Sequence, residues 1–254
     1  ITIKQIIDIH EMKKIFLIFA LFAFLYTDSL YAQEFNLLVG TYTSGKSEGI
    51  SVFKFNSLTG EAILSSTIKA SNPSFLAISP NQKFVYSVNE DKPGGVTAFS
   101  FDKVSGKLKE INKQSSGGDH PCYITIDKTG KWIIVGNYSS GNVAVFAVKK
   151  DGSLDSAKQI IEHTGYSVNS ERQTAPHVHA TVLSKENNFL MVPDLGIDKI
   201  MIYPFNAKTG RLDEANAGFV PSEPGAGPRH FDFHPSGKFS YLMEELTGTV
   251  SVYN

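Results

Sequence analysis

The chain has 254 residues, a length that suits one all-β domain of ordinary size. Its formal net charge is −1, so the composition does not predict the basic surface that nucleic-acid binding requires. A single cysteine, Cys122, excludes an intrachain disulfide, and we expect it to be a small buried side chain. The 18 Phe and 10 Tyr, together with 21 Gly and 11 Pro, favour strands and turns over helices.

The N-terminal segment has the pattern of an export signal. A short basic region begins at Met12, and the apolar run 15–25 follows it before small residues. We predict that residues 1–11 are upstream translation, that residues 12–32 are a signal peptide and that residues 33–254 are the mature domain. The apolar run is too short for a comfortable membrane span, so we expect export to the periplasm or the exterior without stable membrane insertion after cleavage. The alternative is a buried N-terminal helix.

From Phe35 onward, a unit of three apolar runs recurs about every fifty residues. The first runs are 73–80, 121–127, 179–184 and 228–235. The second runs are 84–88, 132–135, 189–192 and 239–243, and the third are 96–101, 143–148, 200–205 and 250–253. More polar runs, expected to be outer edge strands, begin near Leu64, Leu108, Leu154 and Leu212.

Repeats of this length that consist only of strands predict a β-propeller built of four-stranded blades. Residues 33–254 hold roughly four and a half such blades, so we expect a truncated propeller. The longest irregular stretch, 163–175, is predicted to be a loop between blades that overhangs one face.

The register of the repeat predicts which side chains meet at one rim. Equivalent positions at the starts of the first strands hold Ser74, Cys122, His179 and Arg229. The ends of the second strands hold the pairs Asn89/Glu90, Asn137/Tyr138, Asp194/Leu195 and Glu244/Glu245. Antiparallel neighbours bring strand starts and strand ends to the same edge. Polar groups that converge on a channel mouth predict a functional site.

At these positions the chain resembles the seven-bladed lactonase propellers, which include bacterial 6-phosphogluconolactonases and fungal carboxymuconate lactonising enzymes. The resemblance runs from about Asn36 to the end, and its most specific stretches are 176–180, 192–200, 227–238 and 243–246. It implies an all-β, seven-bladed propeller and a catalytic set that corresponds here to His179, Arg229 and Glu245. A further family arginine from a later blade has no counterpart in this chain, and Glu244 stands where Asn is commoner. The resemblance implies no metal, and we expect no cofactor.

Lactone hydrolysis needs an activated water, stabilisation of the oxyanion and a proton for the leaving alkoxide. We predict Glu245 as a base, His179 as an acid or base, and Arg229 as the donor to an oxyanion, carboxylate or phosphate. The predicted substrate-binding residues are His177, Asn137, Tyr138, Asp194 and Glu244. The absence of a Gly-x-Ser-x-Gly motif leaves a serine nucleophile unsupported.

Other interpretations, structural or metal-binding, compete with these roles. His230 and His234 are interpreted as structural turn residues, and Arg229 as a possible ion-pair partner of Glu244 or Glu245. The pattern His177-x-His179, with Asp194, would also suit a transition metal.

The sequence therefore predicts hydrolysis of a small-molecule sugar lactone, with 6-phosphogluconolactone as the substrate that the resemblance implies. Export favours an unphosphorylated lactone. A muconate-type cycloisomerase and a non-catalytic binding propeller are the alternatives.

Overall fold

The computed structural model describes residues 34–254, which consist of strands joined by turns and loops. Residues 1–33 lie outside this range, and so does the predicted signal peptide. Within the described range there is no helix, and hence none long and apolar enough to span a membrane. The predicted all-β class is confirmed.

The strands form five antiparallel sheets, and each sheet is one blade. The first contains β1 (Glu34–Gly40), β2 (Gly49–Asn56) and β3 (Ala62–Lys69). The second contains β4 (Leu76–Ile78), β5 (Phe84–Asn89), β6 (Gly95–Asp102) and β7 (Lys107–Ser115). The third contains β8 (Pro121–Ile126), β9 (Trp132–Asn137), β10 (Asn142–Val148) and β11 (Leu154–Glu162).

The fourth sheet contains β12 (Val182–Leu183), β13 (Phe189–Asp194), β14 (Lys199–Asn206), β15 (Arg211–Leu212) and β16 (Gly218–Pro221). The fifth contains β17 (Pro228–Phe233), β18 (Ser240–Glu244) and β19 (Thr249–Tyr253). The predicted succession of strands is thus confirmed, but β4 and β12 are shorter than the predicted runs 73–80 and 179–184, and one outer strand is divided. The outer strand near Leu212 is divided into β15 and β16, because a turn in which Asn216 bonds to Asp213 separates them.

The hydrophobic core lies between neighbouring blades rather than inside any one of them. Tyr86 and Val88 of the second blade pack with Ile133 and Phe146 of the third in one fully buried cluster. Similar clusters join the other successive blades. Full burial of one such side chain stabilises the fold by about 1.5–3 kcal/mol, so the packing of neighbouring blades stabilises the walls of the channel.

The stacked blades have two rims, one at each end of the channel. At one rim, the turns between first and second strands are held by short polar side chains, as where Ser79 Oγ accepts the N–H of Phe84. Asp127 and Ser184 serve the same purpose in the third and fourth blades. At the opposite rim, first strands begin and second strands end.

Candidate active site

A cavity of about 380 Å³ opens at this second rim. All five blades contribute to its wall, together with the loop between the third and fourth blades. The lining residues are Tyr42, Ser74, Phe75, Glu90, Cys122, Tyr138, Arg172, His179, Arg229, His230 and Glu245. The volume falls in the range of small-molecule sites.

The structure brings together the four residues predicted at the starts of the first strands. Ser74, Cys122, His179 and Arg229 all line the cavity. Cys122 and Arg229 each lie at a break in strand register, between Pro121 and Tyr123 and between Pro228 and His230. Such bulges redirect a side chain at the end of a strand.

His179 is held by the edge of the fourth blade. Val178 forms an isolated antiparallel bridge with Asp194, and the N–H of His179 donates to Pro193 O at 3.0 Å. The N–H of Leu195 donates to His177 O at 2.9 Å. The backbone of residues 177–179 is therefore fixed against the end of β13.

The ends of the second strands show a regular alternation. In three blades the second residue of the pair lines the cavity: Glu90, Tyr138 and Glu245. The first residues, Asn89, Asn137, Asp194 and Glu244, are buried beside it. Successive residues of a strand point to opposite faces, so only one member of each pair can face the channel.

Three predicted substrate-binding residues therefore lie outside the cavity wall. Asn137 Nδ2 donates to Ser116 O and to Asn142 Oδ1. Asp194 accepts from the His177 N–H and contacts His163. Glu244 accepts from the hydroxyls of Thr249 and Ser251. Their side chains are occupied in holding turns and loops, whereas Tyr138 reaches the cavity.

His177 lies behind Tyr138 rather than in the cavity wall. Its ring stacks on the Tyr138 ring with centroids 4.5 Å apart. Its Nδ1–H donates to Tyr138 O at 3.0 Å. The structure thus gives His177 a contact through which it orients Tyr138.

The centre of the cavity holds a cluster of opposite charges. Arg229 Nε lies 2.8 Å from Glu245 Oε2 and 3.2 Å from His179 Nε2, and it donates to both. His179 Nε2 and Glu245 Oε2 are 3.6 Å apart. The three predicted catalytic side chains therefore converge, and the ion pair that Arg229 forms is with Glu245 rather than with Glu244.

His179 is neutral at physiological pH. Burial lowers its pKa to about 4, and the positive charge of Arg229 acts in the same direction. Because Nε2 accepts the Arg229 hydrogen bond, the neutral ring carries its proton on Nδ1, which faces Cys122 Sγ at 3.8 Å. Burial also raises the pKa of the Cys122 thiol, so this sulfur stays protonated.

Glu245 is ionised under the same conditions. Burial raises the pKa of Glu245, but the hydrogen bond from Arg172 and the positive charges around the carboxylate outweigh burial and leave the pKa below its usual value. At neutral pH the site therefore presents two unprotonated groups, His179 and Glu245, between two guanidinium groups.

Arg172 is the main site residue that the repeat register does not predict. It lies in the irregular loop between the third and fourth blades, and its Nη2 donates to Glu245 Oε1 and, at 3.3 Å, to Tyr138 Oη. The prediction that this loop overhangs one face is the only sequence signal that pointed towards it. An irregular loop has no strand period, so the sequence does not predict where the side chains of this loop lie.

One lining residue differs from its predicted role, and another has no predicted role. The sequence predicts a structural turn role for His230, but its side chain lines the cavity and lies edge-on to the rings of Phe75 and Tyr123. Tyr42 donates to Glu90 Oε2 at 2.8 Å, which closes the wall on the side of the first blade. These residues give the cavity one aromatic and one acidic side.

The metal interpretation finds little support in the donor set. Among residues 34–254, no three His, Cys, Asp or Glu side chains are close enough to bind one ion. His177 and Asp194 are engaged by Tyr138 and His163, and the neighbour of His179 Nε2 is a cation, which disfavours a metal there.

Residues 36–254 match the family model described as a lactonase with a seven-bladed β-propeller. The chain belongs to this lactonase family. It is 41% identical over 216 residues to the 6-phosphogluconolactonase of Bacillus subtilis, with 84% of this chain and 60% of that protein covered. It is 39% identical over 225 residues to the 6-phosphogluconolactonase of Formosa agariphila, with 85% and 63% covered.

A solved structure is similar to this chain over most of the chain's length. The periplasmic gluconolactonase of Pseudomonas aeruginosa has a TM-score of 0.82 and 39% identity, and the match covers 87% of this chain and 64% of that one. The chain thus spans under two thirds of the length of these relatives. The predicted family and propeller fold are confirmed.

Proposed function

We propose that the protein hydrolyses a sugar lactone in this cavity. One observation carries the proposal: a neutral imidazole, a carboxylate and two guanidinium groups converge on one small-molecule cavity. The names of the curated relatives, both 6-phosphogluconolactonases, and of the structural neighbour, a gluconolactonase, support it.

The first step is attack of water on the lactone carbonyl. The water replaces Arg229 Nε as the donor to His179 Nε2, and this nitrogen of the neutral ring accepts the proton of the attacking water. Glu245, 3.6 Å from Nε2, stabilises the imidazolium that forms. Since the pKa of His179 is low, it acts as an acid only after it has taken this proton. It then returns the proton to the leaving alkoxide, and the carboxylic acid product is released.

Arg229 supplies the charge that stabilises the oxyanion. Within the described residues, its hydrogen bonds run from Nε, and its two terminal nitrogens remain available to the cavity. A guanidinium group presents a fixed fork of donors to an oxyanion or carboxylate. Arg172, on the other side of Glu245, adds a second positive charge.

We infer that the protein is exported and that its lactone is unphosphorylated. The basic and apolar pattern of residues 12–32 supports export, and so does the likeness to a periplasmic gluconolactonase. Phosphorylated sugar intermediates are cytosolic, so an exported lactonase meets unphosphorylated lactones.

The test compares hydrolysis of gluconolactone and 6-phosphogluconolactone by the full chain with that of two variants. We expect His179→Ala and Arg229→Ala each to lower kcat/KM by roughly 100-fold or more. His234→Ala is the matched control, because this histidine lies outside the cavity wall and bonds within its own turn to Ser236. It should keep the activity of the unaltered chain.

Two results would contradict the proposal. One is turnover no faster than spontaneous hydrolysis on both lactones by a folded protein. The other is full activity in His179→Ala. Conversion of a muconate dicarboxylate in place of lactone hydrolysis would instead favour the cycloisomerase, and a preference for 6-phosphogluconolactone would overturn the unphosphorylated substrate.

A further inference from the structure

Asp198 is a buried carboxylate that the proposed chemistry does not use. It lies in the turn between β13 and β14, is 5% exposed and has a left-handed backbone with φ of 51°. It belongs to the stretch 192–200 that carries part of the family resemblance. The cavity wall does not include it.

Each oxygen of Asp198 accepts hydrogen bonds from two separate segments. Oδ1 accepts from Gln173 Nε2 at 2.7 Å and from the Gly227 N–H at 2.9 Å. Oδ2 accepts from Ser167 Oγ and from the Gly225 N–H at 2.7 Å. Each oxygen therefore joins residues 163–176, the Arg172 loop, to residues 225–227, the glycine segment.

These two segments carry the groups that surround Glu245. In the Arg172 loop, the buried Gln173 directly follows Arg172 and also donates to Leu195 O at 2.9 Å. The glycine segment leads through Pro228 to Arg229. The carbonyl of Gly227 accepts the N–H of Glu245 itself at 2.8 Å.

We propose that Asp198 is a positioning residue that sets the placement of Arg172 and Arg229 on either side of Glu245. The proposal rests on the proposed lactonase function of this site. Asp198 acts through the backbone of the two segments and touches no reacting atom.

The role requires a carboxylate rather than any hydrogen-bonding side chain. Asparagine has nearly the same shape, but its amide NH2 can only donate. If the NH2 replaces Oδ1, it faces the donors Gln173 Nε2 and Gly227 N–H, and both segments lose a bond. If it replaces Oδ2, the Ser167 hydroxyl can turn to accept from it, but the Gly225 N–H still faces a donor. Asp198→Asn therefore loosens the glycine segment in either orientation without creating a cavity.

Asp127 provides a matched control. It is also fully buried and accepts bonds from Thr129, Trp132 and Asn187. It lies at the opposite rim, in the turn between β8 and β9. Asp127→Asn makes the same chemical change at a carboxylate whose two oxygens also accept hydrogen bonds, at the rim opposite to Glu245.

The experiment measures lactone hydrolysis and, separately, the titration of Glu245 by carbon-13 NMR of the labelled carboxyl. In Asp198→Asn we expect kcat/KM to fall by roughly tenfold or more and the pKa of Glu245 to rise, because its arginine contacts weaken. Asp127→Asn should leave both quantities within about twofold of the unaltered chain, whatever stability it loses.

A milder variant keeps the test open should Asp198→Asn fail to fold. Ser167→Ala removes one bond between the Arg172 loop and Oδ2. It should lower kcat/KM by about threefold, and this loss should disappear when Arg172 is already replaced by Gln, because the two changes act through one contact.

The positioning role is overturned if Asp198→Asn matches Asp127→Asn in both kcat/KM and the Glu245 titration. It is also overturned if Ser167→Ala loses the same factor with and without Arg172. If the unaltered chain hydrolyses neither lactone, the proposed function fails, and the NMR titration alone still decides the role of Asp198.

Discussion

At the scale of single residues, the site owes its properties to what surrounds each side chain. An exposed imidazole titrates near pH 6.5, whereas burial beside Arg229 lowers the pKa of His179 to about 4. The same guanidinium helps to keep Glu245 ionised. This one arrangement therefore leaves both His179 and Glu245 unprotonated at neutral pH.

The pH profile of kcat/KM should reflect this shift. Protonation of His179 removes the base, so we expect activity to be flat between pH 5 and 7 and to fall as the pH drops through about 4. A histidine of ordinary pKa would already lose activity near pH 6.5. Initial rates corrected for spontaneous lactone hydrolysis measure the profile.

Substitution of Arg229 tests the cause of the shift. Arg229→Gln removes the positive charge that lowers the pKa of His179, so that pKa should rise, as nitrogen-15 NMR of the imidazole can measure. Arg211→Gln, at an exposed position of β15, is the control and should leave the titration unchanged. An unchanged His179 pKa in Arg229→Gln would refute the electrostatic explanation.

At the scale of elements, short loops rather than strands complete the site. Both Arg172 and Glu245 depend on segments outside the strands. In the glycine segment, Gly227 has no room for a side chain. Gly227 has φ of 72°, and a Cβ there would lie 2.7 Å from Leu246 Cγ. Only glycine suits such a backbone packed against a neighbour.

Gly227→Ala should therefore weaken both stability and catalysis. We expect a loss of roughly 1–2 kcal/mol in unfolding free energy from the left-handed backbone, a further loss from the Leu246 contact, and a lower kcat/KM because Glu245 is bonded to the Gly227 carbonyl. Urea denaturation and lactone kinetics measure the two effects.

Gly237→Ala is the matched control for this prediction. Gly237 has φ of 71°, but an added Cβ meets nothing within 4 Å. Gly237→Ala should lose only the unfolding free energy that the left-handed backbone costs, and it should keep full activity. Equal stability and activity in the two variants would contradict the argument.

At the scale of the whole molecule, the packing between blades holds the rim in place. Phe146 is fully buried between the second and third blades. Phe146→Ala should lower the unfolding free energy by about 3–5 kcal/mol, because it leaves a cavity in this core. Phe219, which is 54% exposed, is the control, and Phe219→Ala should cost under about 1 kcal/mol. Similar urea midpoints for both would contradict a core located between blades.

Much of the fold and part of the site follow from sequence because both depend on a repeating local pattern. Alternating apolar runs define the strands, and equal spacing between runs places Ser74, Cys122, His179 and Arg229 at one rim. The strand period of two also distinguishes Tyr138, which faces the cavity, from Asn137, which is buried.

Tertiary structure alone decides the features that no period describes. Arg172 reaches Glu245 from an irregular loop, 73 residues away in sequence. The pKa of His179 depends on burial among several blades, and the bonds of Asp198 join two segments that are distant along the chain. Charge and hydrogen bonding act through space, so these properties appear only once the blades are stacked.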